Sequence, residues 1–285
     1  MIWWVEFLAT DDGSIVDRFR NRLMIPICRE SGSVVAFGGR SMDADQMPKY
    51  LNSPETPIYS KSRTLYGLNY SKGAIRKVGF AVLVEGYFDF AQVFRSDAAP
   101  VVASCGTALT TQQAPLLRRF PSRVILSFDP DAAGQGAAQK FYEWEQRYQV
   151  RVNVARFPDG KDPGDLAVSD PEALAHAIDT AMPFLGFRLQ RVLEARPLRS
   201  PEDRARTAQD AVAIVNEHPD VNVRRLYASE VAVQTGVSSG ELMRIAEQGR
   251  GSVAQVARPV RQATEGAGFM ALALLIHDWD SIAPW

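Results

Sequence analysis

Cysteine and histidine are scarce in this chain. Only two cysteines and three histidines occur among its 285 residues, and Cys28 and Cys105 each stand without a second cysteine nearby. This excludes a disulfide framework and any zinc site with four cysteine ligands built within the chain. We therefore expect a protein of a reducing, cytoplasmic environment that has no zinc site of its own.

Long hydrophobic runs are absent as well. The longest apolar candidate, Phe269–Ile276, is far shorter than the roughly 18 residues that a membrane-spanning helix needs. Glu6 interrupts the apolar residues near the start and no basic residue precedes them, so we expect neither a signal peptide nor a membrane partner. A composition of 46% hydrophobic and 23% charged residues is that of an ordinary globular protein with about two domains.

The net charge of −1 conceals an uneven distribution. Residues 1–80 carry 11 lysines and arginines against 8 acidic residues, whereas residues 81–175 carry 9 against 12. A basic segment beside an acidic one suits a protein that holds phosphates on one surface and metal ions on the next.

The first 77 residues indicate a basic subdomain of mixed β and loop structure. Arg22–Arg29 and Val34–Arg40 predict two strands joined by a hairpin turn at 30–33. Met47–Pro57 is polar and contains three prolines, which predicts an ordered loop. A helix is expected from about Asn69 to Lys77.

Strands alternate with helices from Val78 onwards. The predicted strands are short apolar runs: Phe80–Val84, Pro100–Ala103, Val124–Phe128 and Val150–Ala155. This pattern predicts an α/β domain over residues 78–180, with a parallel sheet covered on both faces. Residues 181–249 are expected to be helical, and residues 250–285 to form a linker and one further helix.

Acidic residues follow three of these predicted strands. They fall in three clusters: Glu85 and Asp89, then Asp129 and Asp131, then Asp162 and Asp165. The carboxyl ends of parallel strands lie at one edge of a sheet, so the clusters are expected to converge there. Each acid taken alone is also compatible with a helix cap or a loop residue.

Converging carboxylates repel one another unless a cation neutralises them. Oxygen ligands without histidine or cysteine select Mg²⁺ or Mn²⁺ rather than zinc. Asp129 and Asp131 are two residues apart on an extended segment, so both side chains can reach one ion. The sequence therefore predicts a magnesium or manganese site that acts on phosphates.

Two motifs here resemble the Toprim domain of bacterial primases, topoisomerases and some nucleases. They are Glu85-Gly-x-x-Asp89 and Asp129-x-Asp131-x-x-Gly134. The resemblance implies a metal-dependent phosphotransfer site with Glu85, Asp129 and Asp131 at its core. By itself it leaves the choice among these chemistries open.

Residues 18–67 resemble the basic motif region of bacterial DnaG-type primases. The matching segments are Arg18–Arg22, Met24–Ile27, Val35–Arg40, Pro48–Thr56, Tyr59–Ser62 and Leu65–Gly67. The resemblance implies that Lys49 and Lys61 serve primer synthesis and that Arg40 and Asn52 line the same groove. Each of these residues is also compatible with a solvated surface.

A primase of this type is a DNA-directed RNA polymerase. The resemblance implies a single-stranded DNA template, ribonucleoside triphosphates, an RNA primer and a replicative helicase as partners. Metal held by Asp129 and Asp131, with help from Asp162, is expected to stabilise the attack of a 3′-hydroxyl on an α-phosphate. Glu85 is a ligand or a general acid/base, and Asp89 is expected to support the site.

The chain departs from the family pattern in several places. The third cluster is Asp162-Pro163-Gly164-Asp165 where Asp-Pro-Asp is usual, and we expect Asp165 to substitute from one position further on. The resemblance describes a core shortened at both ends, with Gly268–Ile276 as the start of a helicase-binding domain. The alternatives are a Toprim nuclease or topoisomerase, and a non-catalytic remnant that binds single-stranded DNA or a replication partner.

Overall fold

The computed structural model describes residues 7–9, 13–105, 110, 112–113, 115–116, 119, 123–127, 141–158 and 161–248, with side chains between 13 and 244. Asp129 and Asp131 lie outside these residues, as do the predicted linker and the apolar stretch Phe269–Ile276.

The basic subdomain contains two small antiparallel sheets. Strands β1 (Phe7–Ala9) and β2 (Ile15–Asp17) form one, and β3 (Arg22–Cys28), β4 (Val34–Ser41) and β5 (Tyr50–Asn52) form the other in the order β3-β4-β5. The predicted hairpin between β3 and β4 is confirmed. Its turn closes where the backbone N–H at position 29 donates to the carbonyl at position 33, at 2.9 Å.

The prediction of a loop over Met47–Pro57 was wrong in part, because β5 lies inside it. Residues 50–52 pair with residues 38–40 of β4. Pro48 and Pro54 flank this strand without interrupting it, so its N–H groups remain available for the ladder. Its strand conformation depends on hydrogen bonds to β4, and no local apolar pattern predicts it.

The α/β domain contains a five-stranded sheet with strand order β10-β9-β8-β6-β7. The strands are β6 (Phe80–Val84), β7 (Val101–Ala103), β8 (Arg123–Leu126), β9 (Arg151–Val154) and β10 (Met182–Pro183). Strands β6 to β9 are mutually parallel, which confirms the predicted parallel sheet. The sequence did not indicate β10, which adds antiparallel to β9.

Helices cover both faces of this sheet. They are α1 (Leu68–Val78), α2 (Tyr87–Ser96), α3 (Pro163–Ser169) and α4 (Pro171–Asp179), with a π-helical turn at Trp144–Tyr148. Alternate residues of β6 enter two separate apolar cores: Leu83 packs with Trp144, and Val82 with Phe90. Because the strand is buried on both sides, its sequence is apolar throughout.

The predicted helical region, 181–249, is confirmed from Phe184 onwards, but it was wrong at its start, where residues 182–183 form β10. Helices α5 (Phe184–Glu194), α6 (Pro201–Val215), α7 (Val221–Thr235) and α8 (Ser239–Gln248) follow one another, and all four contribute buried residues to the core that holds Leu83. The Ser200 hydroxyl accepts a hydrogen bond from the backbone N–H of Asp203 at 3.0 Å and so caps α6. None of the helices in the described ranges combines the length and the apolar character that crossing a membrane requires.

Candidate active site

Glu85 emerges from the sheet at the carboxyl end of β6. Val84 before it is fully buried, whereas Glu85 is exposed. The segment that follows the neighbouring strand β7 fixes the main chain of Glu85, because the backbone N–H of Cys105 donates to the Glu85 carbonyl at 2.9 Å. The Glu85 carboxylate therefore stands in solvent on a backbone fixed by two strands.

Asp89 lies in the first turn of the helix that follows. Its Oδ2 accepts a hydrogen bond from the backbone N–H of Gly86 at 3.0 Å, which caps α2. Burial raises the pKa of this carboxyl above its ordinary value, and the carboxylates of Asp162 and Asp165 raise it further, against the lowering effect of the Gly86 hydrogen bond. Asp89 is thus a carboxylate in a partly desolvated and negatively charged place.

Asp162 and Asp165 stand at the start of helix α3. Asp162 is the N-cap residue, and its Oδ1 accepts from the backbone N–H of Asp165 at 2.6 Å. Both side chains are exposed, and α3 packs against α2. The first turns of two helices therefore present three carboxylates to one another, where the positive ends of the helix dipoles reduce their repulsion.

Gly164 makes this close approach of the two helices possible. A Cβ atom at this position would lie 2.2 Å from Gln92 Oε1, 3.2 Å from Asp89 Oδ1 and 3.3 Å from Asp162 Oδ1. A side chain here would displace the contacts between α2 and α3. The departure from Asp-Pro-Asp thus fits the packing of this chain, and the role of Asp165 as a substitute ligand stays a prediction.

Asp129 and Asp131 lie just beyond the described end of β8. The strand that precedes them in the sequence is in place, because the backbone N–H of Ser127 donates to the carbonyl of Leu83 in β6 at 3.0 Å. Among the residues with described side chains, no group of three or more histidine, cysteine or acidic residues is arranged to hold a metal ion. Of the predicted ligands in that part of the chain, the structure brings Asp162 and Asp165 close to Asp89, while Glu85 begins the turn that leads into α2.

Asn52, a predicted groove residue, contacts the α/β domain directly. Its Oδ1 accepts a hydrogen bond from the Tyr87 hydroxyl at 2.8 Å, and its Nδ2 donates to the Cys105 carbonyl at 3.3 Å. Tyr87 and Cys105 were not among the predicted site residues. The position of Tyr87, two residues after Glu85, is the only sequence signal that could have indicated it.

The three predicted cations differ in their surroundings. The Arg40 guanidinium lies over the ring of Phe88 in α2, 4.2 Å from the ring centroid. Lys61 lines a small pocket together with Tyr87 and Cys105. Lys49 is exposed, just before β5. Arg40 and Asn52 therefore contact the first turn of α2 just after Glu85, and Lys61 lies beside Tyr87.

Three families of known domains match successive parts of the chain. Residues 4–72 match the N-terminal domain of the DNA primase catalytic core, residues 82–167 match Toprim-like domains, and residues 185–240 match the DnaB-helicase binding domain of primase. The last match falls on helices α5 to α7. Residues 268–276, to which the resemblance assigned the start of a helicase-binding domain, lie outside that match.

Individual relatives agree with these matches. The DNA primase of Clostridium acetobutylicum is 36% identical over 226 residues, which are 79% of this chain and 37% of the relative. The DNA primase of Escherichia coli is 33% identical over 276 residues, 95% of this chain and 47% of the relative. The chain thus spans less than half the length of these two curated relatives.

A solved structure shows the same fold. It is the RNA polymerase domain of Mycobacterium tuberculosis primase DnaG in complex with double-stranded DNA, with a TM-score of 0.72 and 34% identity over 82% of this chain and 76% of that chain. The parallel sheet with acidic residues at its strand ends, together with the match over 82–167, defines a Toprim protein. The basic subdomain that precedes it in the sequence, which matches the primase catalytic core, distinguishes primases from other Toprim proteins. The chain belongs to the family of bacterial DnaG-type DNA primases.

Proposed function

We propose that this chain synthesises short RNA primers on single-stranded DNA as the catalytic part of a primase. One observation carries the proposal: residues of the basic sheet meet the acidic end of the parallel sheet around the first turn of α2. Arg40 contacts Phe88, and Asn52 bonds to Tyr87, both within four residues of Glu85. A polymerase needs this combination, because cations hold the phosphates that metal-bound carboxylates act upon.

The donor set of the acidic edge fits Mg²⁺ or Mn²⁺. The nearby described donors are carboxylate oxygens, and burial, together with the charges of Asp162 and Asp165, raises the pKa of Asp89. We propose Asp129, Asp131, Asp162 and Asp165 as ligands, with Glu85 as a further ligand or a general acid/base and Asp89 in a supporting role. The bound ions would supply positive charge against the phosphate oxygens.

The basic side would hold the template and the incoming nucleotide. Lys49 and Lys61 are the proposed phosphate contacts. Arg40 presents a guanidinium already oriented by Phe88, which suits bidentate recognition of phosphate. Asn52 would line the same groove as part of its wall, because its amide is hydrogen-bonded to Tyr87 and Cys105.

The proposed partners are ribonucleoside triphosphates, the RNA primer and a replicative helicase, in the cytoplasm. The helicase is proposed because residues 185–240 match the helicase-binding domain of primases. We divide the chain into a basic subdomain at 1–77, the Toprim domain at 78–180 and a helical subdomain at 181–249. Residues 250–285 would form a linker and a partial helicase-binding region.

A primer-synthesis assay tests the proposal. The chain is incubated with single-stranded template, labelled ribonucleotides and Mg²⁺ or Mn²⁺, in parallel with the Asp129→Ala and Lys49→Ala variants. We expect template-dependent oligomers from the unchanged chain and none from either variant. The exposed Lys77→Ala on α1 is the matched control and should leave synthesis intact.

The same assay separates the competing functions. Nicking of DNA without synthesis would assign the chain to the Toprim nucleases or topoisomerases. Binding of single-stranded DNA with neither activity would identify a non-catalytic member of the family. Either result overturns primer synthesis by this chain.

A further inference from the structure

A ring of hydrogen bonds joins the basic sheet to the backbone of Glu85. The Tyr87 hydroxyl donates to Asn52 Oδ1 at 2.8 Å, and Asn52 Nδ2 donates to the Cys105 carbonyl at 3.3 Å. The backbone N–H of Cys105 then donates to the Glu85 carbonyl at 2.9 Å. Because Tyr87 follows Glu85 by two residues, the ring closes on the segment that carries the proposed catalytic carboxylate.

The surroundings leave this ring little freedom. Tyr87 is 5% exposed, and its ring lies edge-on to Tyr66 with 4.7 Å between the ring centroids. The opposite side of the Tyr87 side chain reaches β4, where a Cβ atom at Gly38 would lie 2.8 Å from it. Cys105 has a φ of 48°, the left-handed region that a cysteine adopts only when its surroundings impose it.

The hydroxyl of Tyr87 decides which way the Asn52 amide faces. A tyrosine hydroxyl that donates its proton requires the amide oxygen on its side, which turns the amide nitrogen towards the Cys105 carbonyl. A tyrosine hydroxyl is protonated at neutral pH, so it serves as the donor in this pair. Without this hydroxyl, the Asn52 amide has no fixed orientation and the Cys105 carbonyl loses its defined donor.

We infer that Tyr87 is a positioning residue for the metal site. Through Asn52 and Cys105 it fixes the backbone of Glu85, and through its place in the first turn of α2 it fixes the distance from Glu85 to Asp89. The inference rests on the proposed function for its catalytic consequence, but not for its effect on metal binding. Mutation of a group that orients a metal ligand typically lowers metal affinity or activity by about 10- to 100-fold.

The test removes the hydroxyl alone. In the full chain, Mn²⁺ is titrated and the free ion is followed by electron paramagnetic resonance, which requires no catalysis. Tyr87→Phe should weaken Mn²⁺ binding roughly 10-fold and lower kcat for primer synthesis to a similar degree, with the nucleotide KM unchanged. A KM that rises while Mn²⁺ affinity stays constant would overturn the inference, since it would place Tyr87 in nucleotide binding.

Tyr66→Phe is the matched control. Tyr66 contacts the same ring, and its hydroxyl has no hydrogen bond within the described part of the chain. This variant should keep the Mn²⁺ affinity of the unchanged chain. An equal loss of affinity in both phenylalanine variants would show a general effect of the aromatic cluster and would overturn the inference.

A double substitution guards against a simple folding defect. Asn52→Ala should weaken Mn²⁺ binding as Tyr87→Phe does, and the two together should weaken it no further, because they break one ring. Additive losses would overturn the inference.

If the unchanged chain makes no primers while Tyr87→Phe alone loses Mn²⁺ affinity, the proposed function fails and the positioning role stands. If primers are made equally well by Tyr87→Phe with unaltered Mn²⁺ affinity, the positioning role fails and the function stands.

Discussion

The side chain of Gln92 fills the space in which Gly164 would carry a Cβ atom. The distance from Gln92 Oε1 to that Cβ position is 2.2 Å. Gln92 belongs to α2 and Gly164 to the first turn of α3, so the two residues set how closely the helices bearing Asp89 and Asp162 approach.

Gly164→Ala is expected to lower the free energy of unfolding by about 1 kcal/mol, because the new methyl group displaces Gln92. In a Gln92→Ala background the cost should fall to near zero. Urea unfolding of the four chains measures both values. Gly73→Ala, at an open position in α1, is the control and should raise stability by about 0.5–1 kcal/mol. Equal costs of Gly164→Ala in both backgrounds would contradict the contact.

Asp89→Asn is expected to stabilise the metal-free protein at neutral pH. The folded pKa of Asp89 lies above the ordinary value of 3.8, so its ionised form costs stability once the pH exceeds the folded pKa. The gain in Tm should vanish as the pH falls below about 3.8, where the carboxyl is protonated in both states. Asp45→Asn, at an exposed loop residue, is the control for the loss of one negative charge. A Tm gain of constant size across this range would refute the explanation.

Asp162→Ser and Asp162→Ala separate two roles of one carboxylate. Serine can still cap α3, whereas alanine cannot and should cost about 1 kcal/mol of unfolding free energy. Both variants lose the negative charge, so both should weaken Mn²⁺ binding in the same titration. Ser200→Ala, which removes the cap of α6, should cost about 1 kcal/mol and leave Mn²⁺ affinity unchanged. Full Mn²⁺ affinity in Asp162→Ser would exclude this residue as a ligand.

Arg40→Lys keeps the positive charge but loses the flat contact with Phe88. Unfolding free energy should fall by about 0.5–1 kcal/mol. Fluorescence anisotropy with labelled single-stranded DNA should show weaker binding for Arg40→Ala than for Arg40→Lys, and a shallower salt dependence for alanine only. Identical behaviour of the two variants would argue that charge at Arg40 plays no part in binding DNA.

The sheet was predictable because its information is local. Phe80–Val84 is apolar throughout since both of its faces are buried, and the predicted bounds match β6. Strand β5 could not be predicted, because its hydrogen-bond partners come from β4 and its three residues are too few to show an alternating apolar pattern. Antiparallel β10 has only two residues and carries no pattern at all.

The candidate site was predictable only in its residue types and strand positions. Acidic residues after apolar strands indicate an edge rich in carboxylates, and Asp89 and Asp162 do come together there. The bond from Tyr87 to Asn52 joins residues 35 positions apart, and that from Asn52 to Cys105 spans 53. Such contacts follow from how the basic sheet packs on the α/β domain, which no local spacing encodes.

Strand β10 also bears on how the protein behaves at high concentration. A parallel sheet whose outer strand is long and apolar offers its free N–H and C=O groups to other chains and so promotes aggregation. Here one border of the sheet is only two residues long and ends in Pro183, which has no N–H to donate. At the opposite border, Ala103 of the short β7 exchanges backbone hydrogen bonds with Tyr66 of the same chain. Both borders therefore offer few free backbone groups to a strand of another chain. This disfavours aggregation through the sheet while its acidic edge remains open to solvent.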